Sequence, residues 1–231
     1  MVSKAATNTF VIKLRRAAGT LQGWWMILAS IAAAVLLTAV LVMTGLDWTY
    51  FVLVQNMDLS GPLMVADGFG YAFPVLLSGG LMLAGVLRPG RGYGLAGVTA
   101  LIAGSLALVI SMTLKAFSGR ASPPHHNFGL DLANADNSAA FKFGFMNEAI
   151  LGGWPSSHAA VALAIAVSVA VALPGARTLH IVSFAFAAFI GIGVTFGFHW
   201  LSEFLSGALI GASIGIWVGS LAAMRGVQRK R

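Results

Sequence analysis

Two short segments hold residues able to do chemistry: Pro155-Ser156-Ser157-His158 and, further along, His199-Trp200-Leu201-Ser202-Glu203. His199 and Glu203 stand at i and i+4, on one face of a helix. A carboxylate on one ring nitrogen fixes the tautomer and leaves the other nitrogen free to attack an electrophile. The plainer alternative is a capping or interfacial pair. Ser156 and Ser157 stand where a helix should begin. Serine there is either a simple N-cap or part of a helix N-terminus that holds phosphate. In the second case His158 stands beside the phosphate as acid or base. Lys115 and Arg120 close an apolar run. They read either as snorkelling cations or as part of an active site at one membrane depth. Together these clusters point to phosphoryl chemistry on a lipid.

The elements that must position them follow from composition. Hydrophobic residues make up 58% of the 231-residue chain and charged residues only 9%, where soluble domains carry about 25% charged residues. Apolar runs long enough to cross a hydrocarbon core recur along the chain. Backbone groups in lipid must be satisfied internally, so the spans read as helices. The expected fold is all-α, a polytopic membrane protein of six transmembrane helices. The spans fall near 24–44, 62–87, 94–115, 157–173, 179–198 and 201–224. We expect one membrane domain, 1–231, with a basic N-terminus (1–23), a long extracytoplasmic loop (116–156) and a basic tail (225–231). The first apolar run is longer than a signal-peptide core, so it reads as an uncleaved span. Gly207 and Gly211 put small residues four apart on the last span, a packing signal.

Eleven of the fourteen basic residues fall on one side of this topology. Only Lys115, Arg120 and Lys142 fall on the other. By the positive-inside rule both termini are cytoplasmic and the clusters above face outward. The net charge of +7 therefore reflects topology, and no nucleic-acid partner is expected. No cysteine is present, so neither disulfides nor thiolate metal sites are available. The neighbours His125 and His126 lack a matching acid or thiol spacing, and no metal or other cofactor is expected. Asp67, near the outer end of the second span, is either a buried polar contact or part of a cavity wall. His180 reads as interfacial, Lys142 as solvated, and the tryptophans as an interfacial belt.

With these residues in view, the chain resembles the type 2 phosphatidic acid phosphatase superfamily of membrane phosphatases. That family carries Lys, six residues, Arg-Pro; then Pro-Ser-Gly-His; then Ser-Arg, five residues, His, three residues, Asp. Here the first stretch runs from Lys115 through Arg120 and Ser122 to Pro123, the second is Pro155-Ser156-Ser157-His158, and the third runs from Ile192-Gly193 to His199 and Glu203. Ser122 and Gly193 stand where the family has its phosphate-binding arginines, Ile192 where it has serine, Ser157 where it has glycine, and Glu203 where it has aspartate. The resemblance implies a metal-independent phosphatase. His199 would form a phosphohistidine, Glu203 would orient it, and His158 would protonate the leaving group and then activate water. Lys115, Arg120, Ser156 and Ser157 would hold the phosphoryl oxygens.

The expectation is a multi-pass protein of the cytoplasmic (inner) membrane that hydrolyses a lipid phosphate monoester or diphosphate at the outer face. Its partners would be that lipid and the bilayer. A phosphotransferase using the same histidine, a non-catalytic lipid-phosphate-binding protein and a small transporter are the other readings of the same residues.

Overall fold

Glycines spaced four apart set the closest contact in the bundle. The computed structural model describes residues 4–57, 60–124, 136–147 and 153–228. They form seven α-helices: α1 (Lys4–Met43), α2 (Leu46–Gln55), α3 (Ser60–Leu87), α4 (Tyr93–Ser118), α5 (Ser157–Ala172), α6 (Arg177–Gly193) and α7 (Leu201–Gln228). A single 3-10 turn, Val194–Phe196, joins the last two. Among the described residues the only β pairing is an isolated bridge between Arg120 and Phe141.

The helices stop where local chemistry stops them. Gly45, Gly92 and Gly119 adopt left-handed backbone angles at the ends of α1, α3 and α4 or the starts that follow. Glycine occupies that region without steric cost. Pro89 and Pro174 follow α3 and α5 closely and cannot continue them. Ser156 caps α5 by accepting a hydrogen bond from the Ala159 amide.

Six apolar helices stand at the expected places, but two readings change. The helix α1 begins at Lys4, well before the expected first span, and its apolar part is Gly19–Met43. Among the described residues five helices are long and apolar enough to cross a membrane; α5, with 16 residues, is shorter. At 1.5 Å per residue α5 covers about 24 Å, less than a hydrocarbon core of about 30 Å. It packs against α3, α4, α6 and α7, so its length is set by the bundle around it. The helix α2 was not anticipated, because its ten residues are mostly apolar and follow α1 after only two residues. His125, His126, Asp131 and Glu148 lie outside the described residues.

Contact between α5 and α7 is made by Gly207, Gly211, Gly215 and Gly219. A Cβ on Gly207 or Gly211 would collide with the carbonyl oxygen of Ser156 or Ala160; on Gly215 it would lie 2.6 Å from that of Ala164, and on Gly219 3.0 Å from that of Ser168. The constant offset means that α5 and α7 run parallel, backbone against backbone. Their N-termini therefore meet at one end, where the Ser156 amide donates to the Glu203 carbonyl (3.0 Å). In lipid such close approach supplies dispersion contact that the hydrophobic effect does not. Helix α1 runs antiparallel to α7. Trp217 meets Gly23 at one end of the pair, and Thr38 bonds Ser206 (3.0 Å) toward the other.

Because Gly211 has no room and Gly80 has nothing within 4 Å, the two positions should respond differently to the same change. Gly211→Ala is expected to destabilise the protein by about 1–3 kcal/mol through overpacking, and Gly80→Ala to leave stability unchanged or slightly higher. Thermal unfolding in detergent distinguishes them.

Candidate active site

The joined N-termini of α5 and α7 gather the charged residues that an apolar sequence can least afford to bury singly. Glu203, in the first turn of α7, is fully buried. Its Oε2 lies 2.7 Å from His199 Nδ1. That bond assigns the Nδ1 proton to the carboxylate and leaves Nε2 with a bare lone pair. His199 lies in the turn before α7 and is 4% exposed. Burial first, then the nearby Lys115 charge, holds its pKa well below the ordinary histidine value. That direction favours the neutral ring, whose Nε2 lone pair is available to an electrophile.

Behind Glu203 lies a second layer that the sequence did not advertise. Arg120 is buried between the rings of Phe141 and Trp200, with its guanidinium carbon 5.0 and 5.6 Å from their centroids. It donates to Asp47 Oδ2 (2.8 Å), Ser202 Oγ (2.7 Å) and the Ser138 carbonyl (3.0 and 2.7 Å). Its Nη1 lies 3.6 Å from Glu203 Oε1. Asp47, the second residue of α2, accepts from the Ser202 amide (2.8 Å) and hydroxyl (2.5 Å). Asp47 thus caps α7 from another helix, where a negative charge also complements the helix dipole. Neither Asp47 nor Ser202 was a candidate in the sequence. The available signal was a lone acid at the end of the first apolar run, and an arginine that would need a partner once buried.

In front of His199 opens a cavity of about 630 Å³ between α3, α4 and α5. Lys115, Ser157, His158 and His199 line it, and so does Ser122. The His158 and His199 rings are 6.2 Å apart between centroids. Of the expected phosphate ligands, Lys115 and Ser157 are on the wall. Ser156 is buried as the α5 cap, and Arg120 points at Asp47, away from the wall. Gly193, where the resemblance expects an arginine, faces Ala66 of α3 so closely that no side chain fits. Asp67 is on the wall, which decides between its two readings, with Oδ1 3.5 Å from His158 Nε2. Tyr71, also unanticipated, sets its ring edge-on to His158 at 5.1 Å.

Away from the head, the wall is largely apolar. Leu108, Leu101, Val161 and Ile165 extend it into the bundle. From Lys115 to Leu101 it follows α4 for about 21 Å at 1.5 Å per residue.

Removing one partner of a buried ion pair leaves a charge without compensation. Asp47→Asn is accordingly expected to destabilise the protein by about 3–5 kcal/mol. The double replacement Asp47→Asn with Arg120→Gln should lose less than the sum of the two single changes. Thermal unfolding of the three variants in detergent checks both statements.

Known proteins share the family pattern and the fold. The family model described as the PAP2 superfamily matches residues 94–226. That stretch holds Lys115, the α5 start, His199 and Glu203. Among solved structures, the fold is similar to that described as the crystal structure of the first transmembrane PAP2 type phosphatidylglycerolphosphate phosphatase from Bacillus subtilis. The TM-score is 0.52 at 15% sequence identity, over 89% of this chain and 97% of that one. No curated protein matches the chain.

Proposed function

The chain belongs to the PAP2 superfamily, and on that premise we propose that it is an integral membrane phosphatase that hydrolyses a lipid phosphate through a phosphohistidine on His199. One observation carries the reading. The His199–Glu203 pair, His158 and Lys115 stand at the head of a cavity that continues as an apolar groove. A phosphate at the head and a hydrocarbon chain below is the ligand such a shape suits.

In this account the phosphoryl group sits between the two imidazoles. His199 Nε2 attacks phosphorus while the P–O bond to the lipid breaks, and His158 gives its proton to the leaving alkoxide oxygen. Glu203 accepts from Nδ1 and offsets the positive charge that grows on His199. In the second step His158 takes a proton from water, the water oxygen bonds to phosphorus, and the P–N bond breaks. Lys115, the Ser157 side chain and the first-turn amides of α5 supply charge and donors to the phosphoryl oxygens. Arg120 serves this chemistry from behind: it fixes Glu203 and the start of α7, and Asp47 fixes Arg120.

Arg88 and Arg91, between α3 and α4, and Arg177, which opens α6, lie at the end of the bundle opposite the site. Under the positive-inside rule that end is cytoplasmic, and the site faces the exterior or periplasm. The same histidine can pass its phosphoryl group to an alcohol, and the partition between water and alcohol acceptors separates hydrolase from transferase.

Two measurements follow. His199→Ala is expected to abolish inorganic phosphate release from a panel of lipid phosphates in detergent, with chelator present throughout. Release equal to that of the unmodified protein would rule out His199 as nucleophile. Ser122→Arg places a guanidinium on the cavity wall where the family has one. It is expected to lower KM for a lipid phosphate monoester by about tenfold, in line with one charge-assisted hydrogen bond. Initial rates against substrate concentration check it.

A further inference from the structure

Three residues of α3, spaced i, i+3 and i+4, enclose the His158 ring from one side. Gly70 leaves room for it, since a Cβ there would collide with ring Cδ2. Tyr71 meets it edge-on at 5.1 Å. Asp67 places Oδ1 3.5 Å from Nε2, with its side chain one-third exposed into the cavity. The helix is held at this depth by the contact of Ala66 with Gly193. An arginine at position 193 would push α3 outward and carry Asp67 away from the ring. The charged and titratable groups facing His158 are Asp67 and Tyr71 from α3, Lys115 from α4, and His199 before α7. Asp67 is the only acid on the cavity wall among the described residues. His158 Nδ1 is buried without a hydrogen-bond partner among them, so the ring exchanges protons with the cavity through Nε2.

We infer that Asp67 is a positioning residue for His158, keeping Nε2 on the cavity side and offsetting the ring's positive charge while it serves as the acid. The inference rests on the phosphatase reading above. The ring is an imidazolium before the alkoxide leaves and again after water has been deprotonated. In both states the carboxylate compensates a cation in a site where burial, Lys115 and any charge on His199 oppose it. The same carboxylate repels the incoming phosphate. It therefore weakens ground-state binding while favouring the step that needs the proton, and this opposition gives the inference its signature.

The test compares the unmodified full chain with Asp67→Asn on two substrates: a dialkyl lipid phosphate, whose alkoxide needs protonation, and a nitrophenyl phosphate bearing an alkyl chain, whose phenolate does not. On the lipid phosphate, Asp67→Asn is expected to lower kcat on the order of 10- to 100-fold, within the range of general acid–base catalysis, with KM unchanged or lower. Release of nitrophenol should stay within about threefold, since that leaving group gains little from an acid. The acid must be protonated to act, and removing the adjacent negative charge makes it lose its proton earlier. The alkaline limb of the kcat profile should therefore move to lower pH. Asp67→Glu should restore part of kcat, and Asp67→Ser, a second variant should the first not fold, should behave as Asp67→Asn. Equal loss on both substrates, or an unmoved pH limb, would overturn the inference. A loss confined to lipids whose headgroup carries an ammonium group would overturn it too and make Asp67 a substrate contact. No phosphate release from either substrate by the unmodified protein would instead fail the phosphatase reading and take the inference with it.

Discussion

Backbone contact between α5 and α7 is the constraint on which the rest of the molecule depends. Four glycines on α7 meet the carbonyls of four residues on α5. Parallel helices at that distance cannot slide or rotate without collision. The consequence at one end is chemical. Ser156 and Ser157 arrive beside Glu203, and His158 arrives opposite His199. A site needing sub-ångström placement is thereby built on two helices in direct backbone contact.

The buried charges form a second frame at the head of the first. Asp47, Arg120, Ser202 and Glu203 link α2, the segment after α4 and the start of α7. Every one of these groups would be costly alone in an apolar bundle. Asp47, Arg120 and Ser202 satisfy one another by hydrogen bonds, while Glu203 has Oε2 committed to His199 and meets Arg120 only as an ion pair at 3.6 Å. The family's first motif places an arginine on the phosphate. This chain places Arg120 behind the carboxylate that pairs with His199, leaves Ser122 on the wall, and closes the other arginine's position with Gly193 against Ala66. The cavity head is less cationic than the motif predicts, and it holds a carboxylate, Asp67.

Much of this was legible in the sequence because lipid makes the code simple. Apolar runs of span length mark helices, and Gly, Pro and Ser mark their ends. The i, i+4 spacing of His199 and Glu203 predicted their pairing, and the structure forms it. Ser156 did act as a cap. Other features were hidden for physical reasons. The run from α1 into α2 stays mostly apolar around Asp47, so the left-handed turn at Gly45 is what reveals a second helix. Arg120 was expected at phosphate because sequence distance from Lys115 says nothing about which way a five-donor fork turns. That direction is decided by Asp47, more than seventy residues away. Asp67 could be placed near the outer end of its span, but not aimed. Its aim depends on the Ala66–Gly193 contact between helices that no local pattern encodes.

The account stands or falls on His199 forming a bond to phosphorus. The most direct measurement is to quench the protein with alkali within its first turnover of a lipid labelled in its phosphate group, then digest it and locate the label by mass spectrometry. The account predicts an alkali-stable, acid-labile phosphoryl group on His199 that disappears when the reaction is allowed to run on. Turnover without label on the protein, or label on a residue other than His199, would contradict it.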